Sequence, residues 1–597
     1  MADYKAPVKD MQFILENISR MPQLAALTTF EDATPDMVSA ILEEAGRVSA
    51  EVIAPTNSVG DQQGVRLENG KVMIPDGFAE AYQQYAEGGW GSLQFDPEFG
   101  GQGLPYSLST PVMEMWQSAN MAWGLCPLLS QGAVEALYLN GSDALKNTYL
   151  AKMISGEWTG TMNLTEPGAG SDLSAIRSKA EPQGDHYLIR GTKIFITWGD
   201  HEMAGNIVHL VLARLPDAPA GVRGISLFLV PKYRVDENGE LGELNDVAVA
   251  SLEHKLGIHA SATCVMAFGE NAGAVGYLVG EAGKGLACMF TMMNNARLAV
   301  GLQGVAISER SYQQALWFAG DRIQSKAVGY EAEGPILRHA DVRRMLMTMK
   351  ALTEAGRALV YDACASLDFS HAYEDKALAA KEKARAAYLT PIVKGWCTEV
   401  AQEVTSLGVQ VHGGMGYIEE TGAAQHFRDA RILPIYEGTN GIQALDLIGR
   451  KTLSDKGVVA HILIEEMNIT LAEASSVSRF AAAAAALQAA VDVAQKATTQ
   501  ILSESADKPY LPGAVAYNYM MMMGTLCGGW ELLRAALAAA KKQEQGENDP
   551  YLETKQLTAL FYVDQILPRH LSYAQMVSAG SDSIMAFTDE HLASSFN

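Results

Sequence analysis

The side chains with the most evident capacity for chemistry crowd into residues 410–443, QVHGGMGYIEETGAAQHFRDARILPIYEGTNGIQ. Gly413, Gly414 and Gly416 form a turn whose missing Cβ atoms let backbone N–H groups approach something bulky and anionic. Twenty residues on, Tyr436-Glu437-Gly438-Thr439-Asn440 stands immediately before a helical pattern in which Ile442, Leu445 and Ile448 share one face. Asn440 with Gln443 three positions later fits a capping box, so Glu437 falls one short loop ahead of a positive helix end. A carboxylate there can act as a base or simply cap the helix, and the residues alone leave both open.

A second stretch, Met162–Asp172 (MNLTEPGAGSD), has a glycine-rich backbone suited to wrapping an anion, with the Ser171 hydroxyl as a further donor. It reads equally well as a turn entering a strand. Phe195-Ile196-Thr197 closes a strand pattern 32 residues after Thr165 and supplies another hydroxyl.

These pieces resemble the acyl-CoA dehydrogenase family. YEGTNGIQ and QVHGGMGY are similar to its two C-terminal signatures, TEPGAGSD and FIT to its middle-domain flavin contacts, and Lys255–Thr263 (KLGIHASAT) to the motif preceding the last strands of its β domain. The resemblance implies FAD as cofactor and an acyl-CoA thioester as substrate. It makes Glu437 the base that removes a substrate proton, Ala296 standing where some members carry theirs. It assigns flavin contacts to Leu164, Thr165, Phe195 and Thr197, pyrophosphate contacts to Gly170 and Ser171, and further cofactor contacts to Gln410, Gly413, Gly414 and Thr439. Arg322 would reach the FAD of a neighbouring subunit, although Ser325 replaces the family's aromatic there. Ser171, Arg297, Tyr436 and Gly438 would bind substrate. Electrons would pass to an electron-transferring flavoprotein. A trans-2-enoyl-CoA product of the fatty acid β-oxidation type follows, with an oxygen-using oxidase or a DNA-associated flavoprotein of the same fold as alternatives.

Positioning these residues takes several elements. With 597 residues the chain exceeds one core, and 48% apolar against 19% charged residues indicates a folded protein. From Thr34, an N-cap with Pro35 at the first helical position, Val38, Ile41, Ala45, Val48 and Val52 keep helical spacing. PEFGGQGLP at 97–105 lacks the residues of a phosphate loop and reads as a turn between helices. HYLIRGTKIFIT, NIVHLVLARL, GISLFLVPKY and CVMAF are short β-branched and aromatic runs, hence strands. Helical pattern then resumes, with Ile392, Trp396, Val400 and Val404 on one face leading into the Gly413 turn, and continues past residue 451 with Pro512-Gly513 as an internal break. The methionine run 520–523 reads as core filling.

The expected fold class is α+β, mainly α. It has an N-terminal extension (1–34), an N-terminal helical domain (35–160), a middle β-barrel-like domain (161–282) and a C-terminal four-helix-bundle domain (283–450). An extra C-terminal helical domain (451–597) and the N-terminal extension resemble the longer branch of that family. The net charge of −24 argues against nucleic acid. Six scattered cysteines offer no metal-ligand spacing and read as reduced, as in a cytoplasmic protein. The N-terminus lacks a secretory pattern, and the apolar region 519–540 contains Glu531, Arg534 and three glycines, so no membrane span is expected. The FAD contacts shared between subunits that the resemblance implies demand a homo-oligomer, expected as a dimer.

Overall fold

A computed structural model describes residues 4–236 and 239–596. Their backbone divides into two compact units, one of residues 40–299 with the short stretch 4–6, the other of residues 7–39 with 300–596. The fold is mainly helical with a central β region, as the sequence pattern predicts.

In the unit containing residues 40–299, helices precede a sheet. The helix Pro35–Val48, whose first turn belongs to the other unit, has Thr34 ahead of it as expected, the hydroxyl accepting from Met37 N at 3.3 Å. The helices Tyr106–Ala119 and Met121–Asn140 are almost wholly buried. Asn120 ends one and caps the other, accepting from Trp123 N at 3.1 Å and donating to Thr56 Oγ1 at 2.8 Å.

The four strand patterns all form strands: His186–Thr197, Asn206–Arg214, Ile225–Pro231 and Thr263–Phe268. Shorter strands join them, including Trp158–Asn163, Lys179–Gln183, Val247–Leu252 and Ala274–Val279. Lys179 pairs with Arg190 on one side and Arg214 on the other, closing five strands into a ring that has the expected barrel character. Asn206–Arg214 and Ile225–Pro231 are buried on both faces, which explains their unbroken apolar runs.

In the other unit the helices Ala340–Ala372 and Lys376–His412 run as a long pair, with the end of Gly285–Asp321 beside them. The helices Val458–Ser476, Ala481–Glu504, Leu511–Glu544, Pro550–Gln565 and Arg569–Ala579 complete it. The break expected at Pro512-Gly513 falls at residues 505–510, between Ala481–Glu504 and Leu511–Glu544, and Pro512 fits the first turn of the second helix, where its missing N–H costs nothing. Met520–Met523 are fully buried as core. Helix 511–544 meets helix 376–412 closely: a Cβ on Gly395 would fall 2.1 Å from the Met520 sulfur, and one on Gly524 2.3 Å from the Trp396 ring. All six cysteines are buried thiols, and among the described residues no helix is long and apolar enough to cross a membrane.

Two buried ion clusters lock this unit. In the first, Asp10 accepts from Arg357 at 2.7 Å, Lys555 at 2.7 Å and the Tyr551 hydroxyl at 2.6 Å. Arg357 also meets Glu309 at 2.7 Å, and Lys555 meets Glu354 at 2.7 Å, with Lys350 on that same carboxylate. Three carboxylates face three cations, so the charges balance.

In the second, Arg20, Arg385 and Arg534 face Asp362, Glu382, Glu466 and Glu531, and Lys381 joins Glu466 at its edge at 3.6 Å. Burial pushes Glu531 up to about 8, whereas Arg385 and Arg534 override burial at Asp362 and hold it far below its ordinary value.

A sign follows. Folding raises the Glu531 pKa from 4.5 to about 8, so the folded state holds that proton more tightly than the unfolded chain does. The stability this contributes is complete below pH 4.5 and is lost as pH rises through about 8. Urea titrations at intervals across that window are expected to show falling stability for the parent and a flatter profile for Glu531→Gln. Parallel profiles would mean that Glu531 holds no such proton.

Candidate active site

The two glycine-rich stretches fall in different units. In the unit of residues 40–299, Met162–Asp172 leaves the strand Trp158–Asn163 and turns, with Glu166 and Ala169 exchanging backbone hydrogen bonds at 3.1 and 3.0 Å. Thr165 O accepts from Ile194 N at 2.9 Å, which brings Leu164 and Thr165 beside the end of the strand His186–Thr197.

That strand end carries a bulge. Cys264 pairs with Ile196 and Met266 with Lys193, so two residues of one strand face one of the other. Phe195 takes up the extra length at φ +60°, a left-handed conformation that costs a non-glycine residue of order 1–3 kcal/mol. The bulge turns its ring outward, 58% exposed, while Thr197 stays half-buried. Gly168 and Gly170 leave open space where a side chain would sit, Thr165 Cγ2 at 3.9 Å being the nearest atom to Gly170, and Ser171 is exposed beside them. Leu164, Thr165, Phe195 and Thr197 thus form one edge, with Gly170 and Ser171 on the turn leading from it.

An ion pair that sequence reading missed holds this edge from behind. Lys193 Nζ donates to Leu164 O at 3.0 Å and to Glu166 at 2.8 Å. Glu166 also accepts from Arg177 N at 2.6 Å, Ser178 N at 3.0 Å and Ser178 Oγ at 2.6 Å. Burial lowers Lys193 to about 8 against the pull of Glu166. At Glu166, burial works upward, but the Lys193 charge and these hydrogen bonds hold the carboxyl below its ordinary value. The available signal was a lysine four residues after the apolar Ile189 and one before the Ile194–Ile196 run, a placement that when buried demands a counter-charge.

Arg297, on the helix Gly285–Asp321, is buried and reaches Asn294 Oδ1 at 3.4 Å. A narrow cavity lies beside the same helix, lined by Met113, Leu128, Gly132, Met292, Asn295 and Ala296 among others.

In the unit of residues 7–39 and 300–596, Glu437 occupies a left-handed turn at φ +56°, followed by Gly438 at +86°. Tyr436 on one side is anchored by its hydroxyl on Gln303 Oε1. On the other, the helix Asn440–Ile448 is capped by Thr439, whose hydroxyl accepts from Ile442 N at 3.4 Å. The capping box expected from Asn440 and Gln443 does not form. Asn440 lies one position too far in and its amide is drawn into the neighbouring helix, while Gln443 donates to Glu437 O at 3.3 Å and Gly438 O at 3.4 Å. Glu437 is half-buried, and Thr439 rather than Glu437 is the N-cap of this helix.

Gln410, Gly413 and Gly414 sit exposed at the C-terminal end of helix Lys376–His412. A side chain added at either glycine would meet nothing within 4 Å, and Gly413 has φ +60°. The Glu437 turn docks at Lys394–Glu399 of the same helix, roughly 20 Å away along its axis. The two signatures are therefore neighbours in sequence without touching in space. His412 is a structural neighbour of the turn, its Nδ1 2.7 Å from Gly408 O and its ring stacked on Phe318. Glu419 and Glu420 are solvated, and Arg322 is exposed with Nη2 3.3 Å from Gln324 Oε1. Among the described residues no group of His, Cys, Asp or Glu forms a metal site.

Comparison with known proteins gives this arrangement a family. Sequence models of the acyl-CoA dehydrogenase N-terminal, middle and C-terminal domains match residues 38–157, 161–270 and 283–453. A model described as acetyl-CoA dehydrogenase C-terminal like matches 463–588. The chain is 48% identical to 3-methylmercaptopropionyl-CoA dehydrogenase of Ruegeria pomeroyi, covering 98% of this chain and 99% of that one. It is 35% identical to a butyryl-CoA dehydrogenase of Syntrophomonas wolfei over 95% of each. ACDH-11 of Caenorhabditis elegans, solved in complex with C11-CoA, shares the fold at TM-score 0.75 and 21% identity, covering 94% of this chain and 92% of that one. On this evidence of length, signatures and fold, the chain belongs to the acyl-CoA dehydrogenase family and is an oxidoreductase.

Proposed function

We propose that the protein is a FAD-dependent dehydrogenase of a short acyl-CoA thioester, forming a trans-2-enoyl-CoA with Glu437 as base. The observation that carries the reading is the Glu437 turn: a half-buried carboxylate held at φ +56° three residues ahead of the helix Asn440–Ile448. Strain at a non-glycine residue persists where the surroundings enforce it, and such residues cluster at functional sites.

The chemistry sets the requirements. A proton α to a thioester is weakly acidic, so the base must be partly removed from water and aimed at that carbon. Charge developing on the carbonyl oxygen needs fixed donors, and the Glu437 N–H supplies one. Tyr436 and Gly438 shape the turn around the substrate, and Arg297 and Ser171 hold the thioester end and its pantetheine arm.

The residues fit FAD. Gly413, Gly414, Gly168 and Gly170 leave open backbone for a large anionic group, and the exposed Phe195 ring offers a flat face. Leu164, Thr165, Phe195 and Thr197 would hold the ring system, and Gly170 and Ser171 the pyrophosphate. Arg322, Gln410, Gly413, Gly414 and Thr439 would contribute the rest. Bound FAD supplies acceptance of the second hydrogen as hydride.

The names of the relatives support a short acyl group, methylmercaptopropionyl or butyryl in length. We assign electron transfer to an electron-transferring flavoprotein, and a cytoplasmic setting in keeping with six buried thiols. The divisions at residues 35, 161, 283 and 451 we retain as functional boundaries.

Glu437→Gln keeps the size of the side chain and removes the basic oxygen. Turnover with short acyl-CoA substrates is expected to fall at least ~10²-fold at full FAD content. A variant turning over near the parent rate would refute the assignment of Glu437.

Gly414→Val has room within its own chain, so any loss of cofactor comes from blocking the cofactor itself. The purified variant is expected to be folded by circular dichroism and colourless. A yellow protein with full FAD occupancy would show that the turn serves another purpose.

Around the Arg322 and Gly413 region, Trp317, Ile323, Tyr417 and Ile418 are exposed, and Val328 is 99% exposed. A two-fold copy covering them would complete the cofactor contacts. Light scattering of the holoprotein is expected to give about twice 64.2 kDa. A tetramer or a monomer would contradict that assembly.

A further inference from the structure

The edge made by Leu164, Thr165, Phe195 and Thr197 is tied down at three successive residues. Leu164 O accepts from Lys193 Nζ at 3.0 Å, Thr165 O from Ile194 N at 2.9 Å, and the Glu166 carboxylate from Lys193 Nζ at 2.8 Å. All three ties come from the two residues just ahead of Phe195, so one stretch of strand holds both the left-handed bulge and the segment Leu164–Glu166. Glu166 is anchored further by Arg177 N, Ser178 N and the Ser178 hydroxyl. Gly191, on the same strand as Lys193, makes room for that hydroxyl, since a Cβ there would fall 2.3 Å from Ser178 Oγ.

Stability alone does not call for such a pair. Lys193 and Glu166 are both buried, and taking two charges out of water offsets most of their attraction. Apolar residues of similar volume often stabilise a fold as well or better. What apolar residues could not supply is the donor on Leu164 O and the carboxylate that draws residues 177 and 178 against residue 166.

We propose that Lys193 and Glu166 are positioning residues for the flavin: the pair sets the place and angle of the Leu164–Thr165 edge against the ring system, and the fold stands without it. The inference rests on the reading of this edge as the flavin site. Both side chains are buried behind the edge, so they act through the backbone of residues 164–166. Misplacing a reacting group by about 1 Å can cost roughly 10²-fold in rate, so a small shift of the edge acts on FAD affinity and turnover more than on melting.

Lys193→Met leaves Glu166 buried without its cation, a loss that lowers stability. Lys193→Met/Glu166→Gln removes both charges at nearly constant volume, and its full-length apoprotein is expected to melt close to the parent apoprotein. Titrated with FAD, both variants are expected to bind at least ~10-fold more weakly than the parent, because both lack the donor on Leu164 O. At saturating FAD the double variant is expected to show a kcat about 5- to 20-fold below the parent, at unchanged KM, with the flavin absorption band displaced. Parent-like affinity or kcat in the double variant would overturn the proposal and mark the pair as structural only. So would a double variant that fails to fold. Gly170→Val is measured alongside; a Cβ there has room, its nearest neighbour being Thr165 Cγ2 at 3.9 Å, so it probes the site rather than the fold. If it holds FAD as tightly as the parent, the reading of the flavin site fails and takes this inference with it; if it loses FAD while the two pair variants match the parent, the positioning role alone fails.

Discussion

Buried charge is the constraint around which the larger unit is arranged. Removing one partner from a buried ion pair strands the other at a cost of about 3–5 kcal/mol, so each member of these clusters fixes where its partners' elements must lie. Asp10 answers to Arg357 and Lys555, and Arg385 answers to Asp362 and Glu466. Helices from the start, middle and end of the chain thereby have one mutual arrangement that leaves no charge alone. Apolar packing, which tolerates substitution and sliding, would specify that arrangement less sharply.

Helix Lys376–His412 is the spine on which this order becomes useful. It is paired along its length with Ala340–Ala372, notched at Gly395 and Trp396 against the C-terminal block, and ends in the Gly413 turn. The Glu437 turn hangs from its middle through Asn440. A rigid element carrying both signatures fixes their separation without requiring them to touch. That rigidity is what a base facing a cofactor-bound substrate needs.

Much of this was legible in the sequence. Strand patterns, the Thr34–Pro35 helix start and the glycine turn follow local rules that the structure respects, because their partners are near in the chain. The misses share the opposite cause. HYLIRGTKIFIT reads as an unbroken strand, and nothing in phenylalanine's preferences announces a left-handed bulge at Phe195; Thr165 O and the Thr263–Phe268 strand impose it. Asn440 is a better N-cap than Thr439 by propensity, yet Lys394, 46 positions earlier, claims its side chain. Lys193 and Glu166, 27 positions apart, were invisible as a pair because pairing across a sheet leaves no spacing rule to read.

The pairing of Asp10 with Lys555 also dates the protein's completion. The two residues lie 545 positions apart, so at ordinary ribosomal speeds roughly 30 to 110 seconds separate their synthesis. During that interval Asp10 gains Arg357 as a partner once the helix Ala340–Ala372 is made, and Lys555 and the Tyr551 hydroxyl join it last. The segment around Asp10 therefore reaches its full set of partners only when the helix Pro550–Gln565 is in place, and a chain cut before that helix would leave this carboxylate with one cation instead of two.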